Sequence, residues 1–182
     1  MKWWLSLLGL SSVCWLCVAG ERGLPSQEGI GNFGKVSNSL YRGAQPDEFG
    51  MQSLKRMGVK MIINLRMSGD CWKAEEALAT SYGIGFTNVP FKGLGRPADK
   101  QVRMVLDMIQ GSISPVFVHC QHGCDRTGTI IACYRIQHDG WSSDTALQEA
   151  GKYGMSKLER GMRRYVLDFG RQSKQFAAAV VK

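Results

Sequence analysis

The sequence predicts an α/β domain in which a central, mainly parallel sheet is flanked by helices and a functional loop joins a strand to a helix. Three observations lead there. Strand and helix signals alternate from residue 40 onward, the order that builds a parallel sheet with helices on both faces. Val59 to Leu65 is a mostly apolar run, typical of a strand buried on both sides. Val116-Phe117-Val118 runs directly into a loop bearing Cys and Gly, and helical periodicity follows it. Ligands of such sheets bind outside the carboxyl ends of the strands, so that loop is where chemistry is expected.

The elements follow in order. Residues 21–38 are Gly-rich and read as a linker or irregular lead-in, with the domain proper over 39–182. Gly29-Ile30-Gly31-Asn32-Phe33-Gly34 matches the dinucleotide fingerprint in form only. It lacks the preceding strand and following helix that would place a pyrophosphate on a helix N-terminus. Leu40-Tyr41-Arg42 is a short strand. Pro46-Asp47 opens a helix to about Met57, with Asp47 as its N-cap and Gly58 as its stop. After the strand at 59–65, residues 71–82 read as a helix closed by Gly83, and Phe86 to Val89 as a strand. Pro97 to Ile109 is amphipathic, with Val102, Val105, Leu106 and Ile109 on one face. After the strand at 116–118, helices are expected over Thr127–Gln137, Ser143–Lys152 and Lys157–Val180.

The 182 residues suit one domain, and 44% hydrophobic with 21% charged residues is a globular balance. The formal charge of +8 comes from scattered Lys and Arg without a long basic run. That reads as a solvated basic surface favouring anions, with no nucleic-acid partner expected. Residues 1–20 have the layout of a secretory signal peptide: Lys2, an apolar middle from Trp3, then Val18-Ala19-Gly20. Its removal would leave a charge of +7; the alternative is an uncleaved leader acting as a membrane anchor. Either way the protein is expected to be exported, periplasmic or secreted. Cys14 and Cys17 lie in this leader. Cys71, Cys120, Cys124 and Cys133 remain, and their spacing does not resemble a disulfide framework.

The loop reads His119-Cys120-Gln121-His122-Gly123-Cys124-Asp125-Arg126-Thr127-Gly128. A thiol attacks phosphorus as thiolate, and thiolates at helix N-termini have pKa values lowered to roughly 3.5–7.5. A strand-to-helix loop turns its N–H groups inward as an anion nest and adds the helix dipole. Gly123 and Gly128 permit close backbone approach. Arg126 supplies a planar fork for two phosphate oxygens. Thr127 is placed to donate its hydroxyl to the sulfur. The expected substrate-binding set is Gln121, His122, Gly123, Cys124, Asp125 and Arg126. No cofactor or metal is required, because the nest and Arg126 neutralise phosphate themselves, and the His/Cys spacing lacks the separated pairs of a structural zinc site.

Cys-x5-Arg-Thr-Gly after an apolar strand and His119 resembles the signature of protein tyrosine and dual-specificity phosphatases. Asn38 to Pro46, Ile62-Ile63-Asn64-Leu65-Arg66 and Gly93 to Asp99 are similar to segments of the compact bacterial dual-specificity-like members. The resemblance spans about residues 30–140. It implies a phosphocysteine formed on Cys120, phosphate held by Arg126, and an aspartate that protonates the leaving group. Asp99 lies on the segment where the family places its acid loop; Asp125 resembles the loop aspartate of myotubularin-like and some bacterial phosphoinositide phosphatases. Both remain candidates, each with a structural alternative: a helix-start charge for Asp99, a loop-shaping salt bridge for Asp125. His119 is expected to orient the loop and tune the thiolate. Cys124 or Cys71 could form a reversible disulfide with Cys120, or both are ordinary thiols. The substrate is a phosphorylated protein or, alternatively, a phosphoinositide or inositol phosphate. A rhodanese-like sulfurtransferase is the rival enzyme, disfavoured by the Arg126-Thr127-Gly128 ending and the Tyr41–Pro46 segment.

Overall fold

The computed structural model describes residues 23–69 and 73–180. Five strands form one sheet: β1 (Gly34–Lys35), β2 (Leu40–Gly43), β3 (Met61–Asn64), β4 (Gly85–Asn88) and β5 (Val116–His119), in the order β1-β2-β5-β3-β4. β2, β5, β3 and β4 are parallel, and β1 pairs antiparallel with β2. The sheet is therefore mainly parallel, as the alternation of elements predicts. β5 sits at its centre with all four residues buried. Phe117 is opposite Tyr41 on one side and Ile62 on the other.

The helices are α1 (Glu48–Arg56), α2 (Lys73–Ser81), α3 (Asp99–Gly111), α4 (Asp125–Gln137), α5 (Ser143–Lys152) and α6 (Arg160–Val180). Successive strand residues face opposite sides, and this divides the core in two. Tyr41, Ile62 and Phe117 pack with Met51 and Leu54 of α1 and Ala79 of α2. Leu40, Ile63, Val116 and Val118 pack with α3, α4, α5 and α6. The stripe Val102, Val105, Leu106 and Ile109 is how α3 docks, each side chain contributing roughly 1.5–3 kcal/mol. α4 is different. Nine of its 13 residues are buried, because it lies under α3, α5 and α6 and against the sheet. Cys133 is buried there, and burial pushes its thiol far above the usual range.

Asp47 caps α1, its Oδ1 accepting from the Gly50 N–H at 2.8 Å. Most element bounds shift from expectation by one or two residues, and three differences bear on the site or the packing around it. α4 starts at Asp125, which puts Arg126 in its first turn. α6 starts at Arg160, because Ser156 Oγ takes the Leu158 N–H in a turn at 3.1 Å and holds Lys157 outside the helix.

The third concerns residues 21–38, expected as a linker or lead-in. The described part is packed into the domain: Ile30 is fully buried against Tyr41 and Phe117, and Asn32 is 2% exposed. The segment has no helical or strand period because it is built of turns, with β1 as its one strand. Its glycines mark close approach. A Cβ at Gly29 would meet Asp47 Oδ1 at 2.2 Å, and the φ there is +79°. The expected leader, residues 1–20, and Cys71 lie outside the described residues. No described helix is long and apolar enough to cross a membrane.

Candidate active site

Every loop at the carboxyl edge of the parallel strands opens on one side, and the loop after β5 is at its centre. Cys120 is the first residue beyond β5 and is 3% exposed. From Cys120 to Gly123, four successive carbonyls are each held from behind. His119 Nδ1 lies 3.1 Å from Cys120 O. The Gln45 N–H donates to Gln121 O at 3.3 Å. Asn32 Nδ2 donates to His122 O at 3.2 Å. The Arg42 guanidinium donates to Gly123 O at 2.7 Å.

A trans peptide is planar, with its C=O and N–H pointing opposite ways. Carbonyls drawn outward at residues 120–123 therefore turn the N–H groups of Gln121, His122, Gly123 and Cys124 inward. That is an anion nest, and the N-terminus of α4 completes it. Gly123 is needed for it, with a φ of +69° and a virtual Cβ only 2.4 Å from the Gly43 carbonyl carbon.

The scaffold behind the loop is polar and buried. Arg42 is 1% exposed, and its guanidinium stacks 3.7 Å from the centre of the Tyr153 ring. Burial pushes its pKa down to about 10, against the opposing pull of Tyr153, Glu149, Cys120 and Cys124. It stays cationic at neutral pH and adds a positive charge beneath the loop. Asn32, with φ +52°, ties His122 O, Cys124 Sγ and Tyr153 O together. Arg42→Met is expected to lower stability by about 1–3 kcal/mol, since Gly123 O is left buried without its donor. Urea unfolding checks this; unchanged stability would mean the carbonyl finds another partner.

The expected site residues fall out as follows. Arg126 is half-buried, and its Nη1 reaches toward Leu65 O at 3.5 Å, which leans the guanidinium across the loop toward the end of β3. Gln121 and His122 are exposed. Cys124, expected among the substrate-binding residues, turns its side chain away from the inward-facing amides. Its side chain is fully buried on the outer side, where Sγ contacts Asn32 Nδ2 at 3.4 Å and His122 O at 3.3 Å.

Thr127 was expected to donate to the Cys120 sulfur, and that bond is not formed. Its Oγ1 is buried without a hydrogen-bond partner, a state that costs about 1–3 kcal/mol. Asp125 begins α4, and its Oδ1 accepts the Ser156 N–H at 2.7 Å, which ties the loop to the α5–α6 connection. Asp99 begins α3 and is exposed, and its charge, after burial and Cys133, helps push the Tyr165 hydroxyl pKa up. The segment before it is docked on α6: Arg96 pairs with Asp168 at 2.7 Å and stacks on Tyr165.

Asn32, Arg42, Gln45 and Glu75 were not singled out from the sequence. Arg42 and Gln45 lie within the Asn38–Pro46 segment, which pointed to them without assigning a role. Asn32 was hidden in the Gly-rich stretch, and nothing in the sequence marked Glu75.

A thiol at the centre of an inward-facing amide nest, with an arginine on the first turn of the following helix, defines the class of cysteine-dependent phosphatase folds. A family model described as "DSP-PTPase phosphatase fused to NAD+ Kinase" matches residues 25–166. The chain belongs to this family.

Among curated proteins, the dual specificity protein phosphatase TpbA of Pseudomonas aeruginosa is 31% identical over 126 residues, covering 68% of this chain and 55% of that protein. The match spans about half the length of these curated relatives. A crystal structure of P. aeruginosa TpbA superposes with a TM-score of 0.68 at 28% identity, covering 85% of this chain and 97% of that one. The core catalytic domain of a PP-IP phosphatase from S. cerevisiae shares the fold, with a TM-score of 0.69 at 19% identity, covering 86% of this chain and 94% of that one.

Proposed function

We propose that this protein hydrolyses phosphomonoesters through a phosphocysteine on Cys120, acting on phosphotyrosine or with dual specificity on phosphoproteins. The observation that carries the reading is the row of four outward-held carbonyls, which commits the loop's N–H groups to an oxyanion beside the sulfur. A structure of TpbA in complex with pTyr, 26% identical to this chain over 86% of its length, supports it. Cys120 attacks phosphorus, the ester oxygen leaves with a proton, and water then hydrolyses the thiophosphate. The nest and Arg126 hold the three equatorial oxygens throughout.

Asp99 is the proton donor in this reading. Asp125 has its carboxylate engaged by the Ser156 N–H and serves as a tether. Asp99→Asn is expected to lower kcat on a phosphopeptide by about 10²–10³-fold and to remove the alkaline decline of the pH–rate profile. Asp125→Asn keeps that decline. The reverse pattern would reassign the acid.

Inositol phosphates are the second reading. An inositol diphosphatase of Arabidopsis thaliana is 24% identical over 143 residues, and Lys92 and Arg96 line a cleft of about 360 Å³ ahead of α3. A panel of phosphotyrosine, phosphoserine and phosphothreonine peptides, inositol phosphates and lipid headgroups decides between the two. Highest kcat/KM on phosphotyrosine peptides supports the first reading, and highest on inositol phosphates overturns it. The leader-like residues 1–20 support action outside the cytoplasm.

A further inference from the structure

Glu75 and His119 form a buried pair behind the peptide of the nucleophile. His119 is fully buried and Glu75 is 4% exposed. His119 Nε2 lies 2.9 Å from Glu75 Oε1. The oxygen sits off the axis of the ring N–H, and neither atom has any other polar partner among the described residues. On the other side of the ring, Nδ1 is 3.1 Å from Cys120 O.

The protons can be counted. A carbonyl oxygen only accepts, so Nδ1 carries a proton. A buried carboxylate oxygen facing a ring nitrogen requires a second proton between them. Two features of Glu75 decide where that proton resides. Its Oε2 accepts from Asn64 Nδ2 at 3.0 Å. It also lies in the first turn of α2, where the helix dipole favours negative charge. Asn64 is itself fixed: its Oδ1 accepts the Arg66 N–H at 2.7 Å, and Asn88 Nδ2 bridges Asn64 O and Arg66 O. Both features favour the carboxylate, which leaves His119 as the imidazolium.

We propose that Glu75 is a positioning residue for the Cys120 reaction: it holds His119 as an imidazolium against the Cys120 peptide and so keeps Cys120 a thiolate at acidic to neutral pH. This rests on Cys120 being the nucleophile. A cation one residue from the sulfur favours the thiolate. Arg42 beneath the loop and Arg126 on α4 act in the same direction, and Asp125 beside Arg126 opposes them. His122 and Cys124 are the other titratable groups at the loop. Without a carboxylate at position 75, His119 needs only the one proton on Nδ1 and becomes neutral.

The test is the pH dependence of iodoacetamide alkylation of Cys120 in the full chain, read by peptide mass spectrometry. Glu75→Gln is expected to slow alkylation roughly tenfold on the acidic limb, a shift of about one pH unit, with the alkaline plateau unchanged. Glu75→Asp recovers part of the shift. Coincident profiles for wild type and Glu75→Gln overturn the proposal. Should Glu75→Gln not fold, ¹⁵N NMR of the wild-type His119 ring decides: both nitrogens protonated at neutral pH supports it, and a neutral ring overturns it. Alkylation needs no turnover, so the two failures are distinguishable: coincident profiles in an active chain overturn this proposal alone, and a chain inactive on phosphomonoesters defeats the functional reading on which it rests.

Discussion

Cys120→Ser is expected to lower phosphomonoester turnover by at least about 10⁴-fold, on the scale seen when other enzymes lose their nucleophile. Phosphorus must be attacked by an anion, and the loop is built to favour one at the sulfur: inward N–H groups, the end of α4, Arg42 below and Arg126 above. A serine hydroxyl stays protonated under the same field. The substitution removes little volume and leaves the four outward-held carbonyls in place, so the phosphate site persists. The Ser variant should still bind a phosphotyrosine peptide, with a Kd near the wild-type KM by calorimetry. Loss of turnover together with retained binding assigns the sulfur to the chemical step. Residual activity within tenfold of wild type would place the nucleophile elsewhere.

Arg126→Lys is expected to cost about 10²–10³-fold in kcat/KM, with kcat falling as well as KM rising. The charge is kept but the planar fork is lost. An ammonium offers a point contact where the equatorial oxygens of the transferring phosphoryl group present two acceptors side by side. These oxygens spread as the leaving group departs, so the bidentate contact strengthens in the transition state, and its loss appears in kcat. Arg126 is half-exposed, and lysine keeps its charge and its position on the first turn of α4, so stability should change far less than activity. A matching loss of unfolding free energy would instead point to a structural role. Steady-state kinetics beside a denaturation curve separate the two.

The two core faces follow from properties that act along the chain. The alternation of Ile62-Ile63 and Phe117-Val118 between the two buried faces, and the stripe of α3, come from side chains each finding apolar surroundings. Local spacing records that requirement. Cys120, Arg126 and Gly123 are legible as candidates for the same reason, since they fall within one short strand-to-helix stretch. Helix ends were less legible. α6 begins later than its composition allows because a single serine hydroxyl takes the Leu158 N–H, an event that hydrophobic periodicity does not register.

The support behind the loop has no local signature. Asn32 is 90 residues from the carbonyl it holds, and Arg42 is 81 residues from its own. Glu75, on a helix of ordinary composition, meets His119 only because β3 and β5 are neighbours in the sheet. A Gly-rich stretch reads as a linker when its buried Ile30 and Asn32 stand alone, since one apolar and one polar residue make no period. The sequence by itself determined the α/β class and the phosphatase family, and it marked Cys120 and Arg126 as the candidate nucleophile and phosphate-binding arginine, because these are written in contiguous residues. Only the tertiary structure decided which groups hold the loop carbonyls outward and which carboxylate faces His119, because desolvated hydrogen bonds are made between residues that the chain brings together only after the sheet has formed.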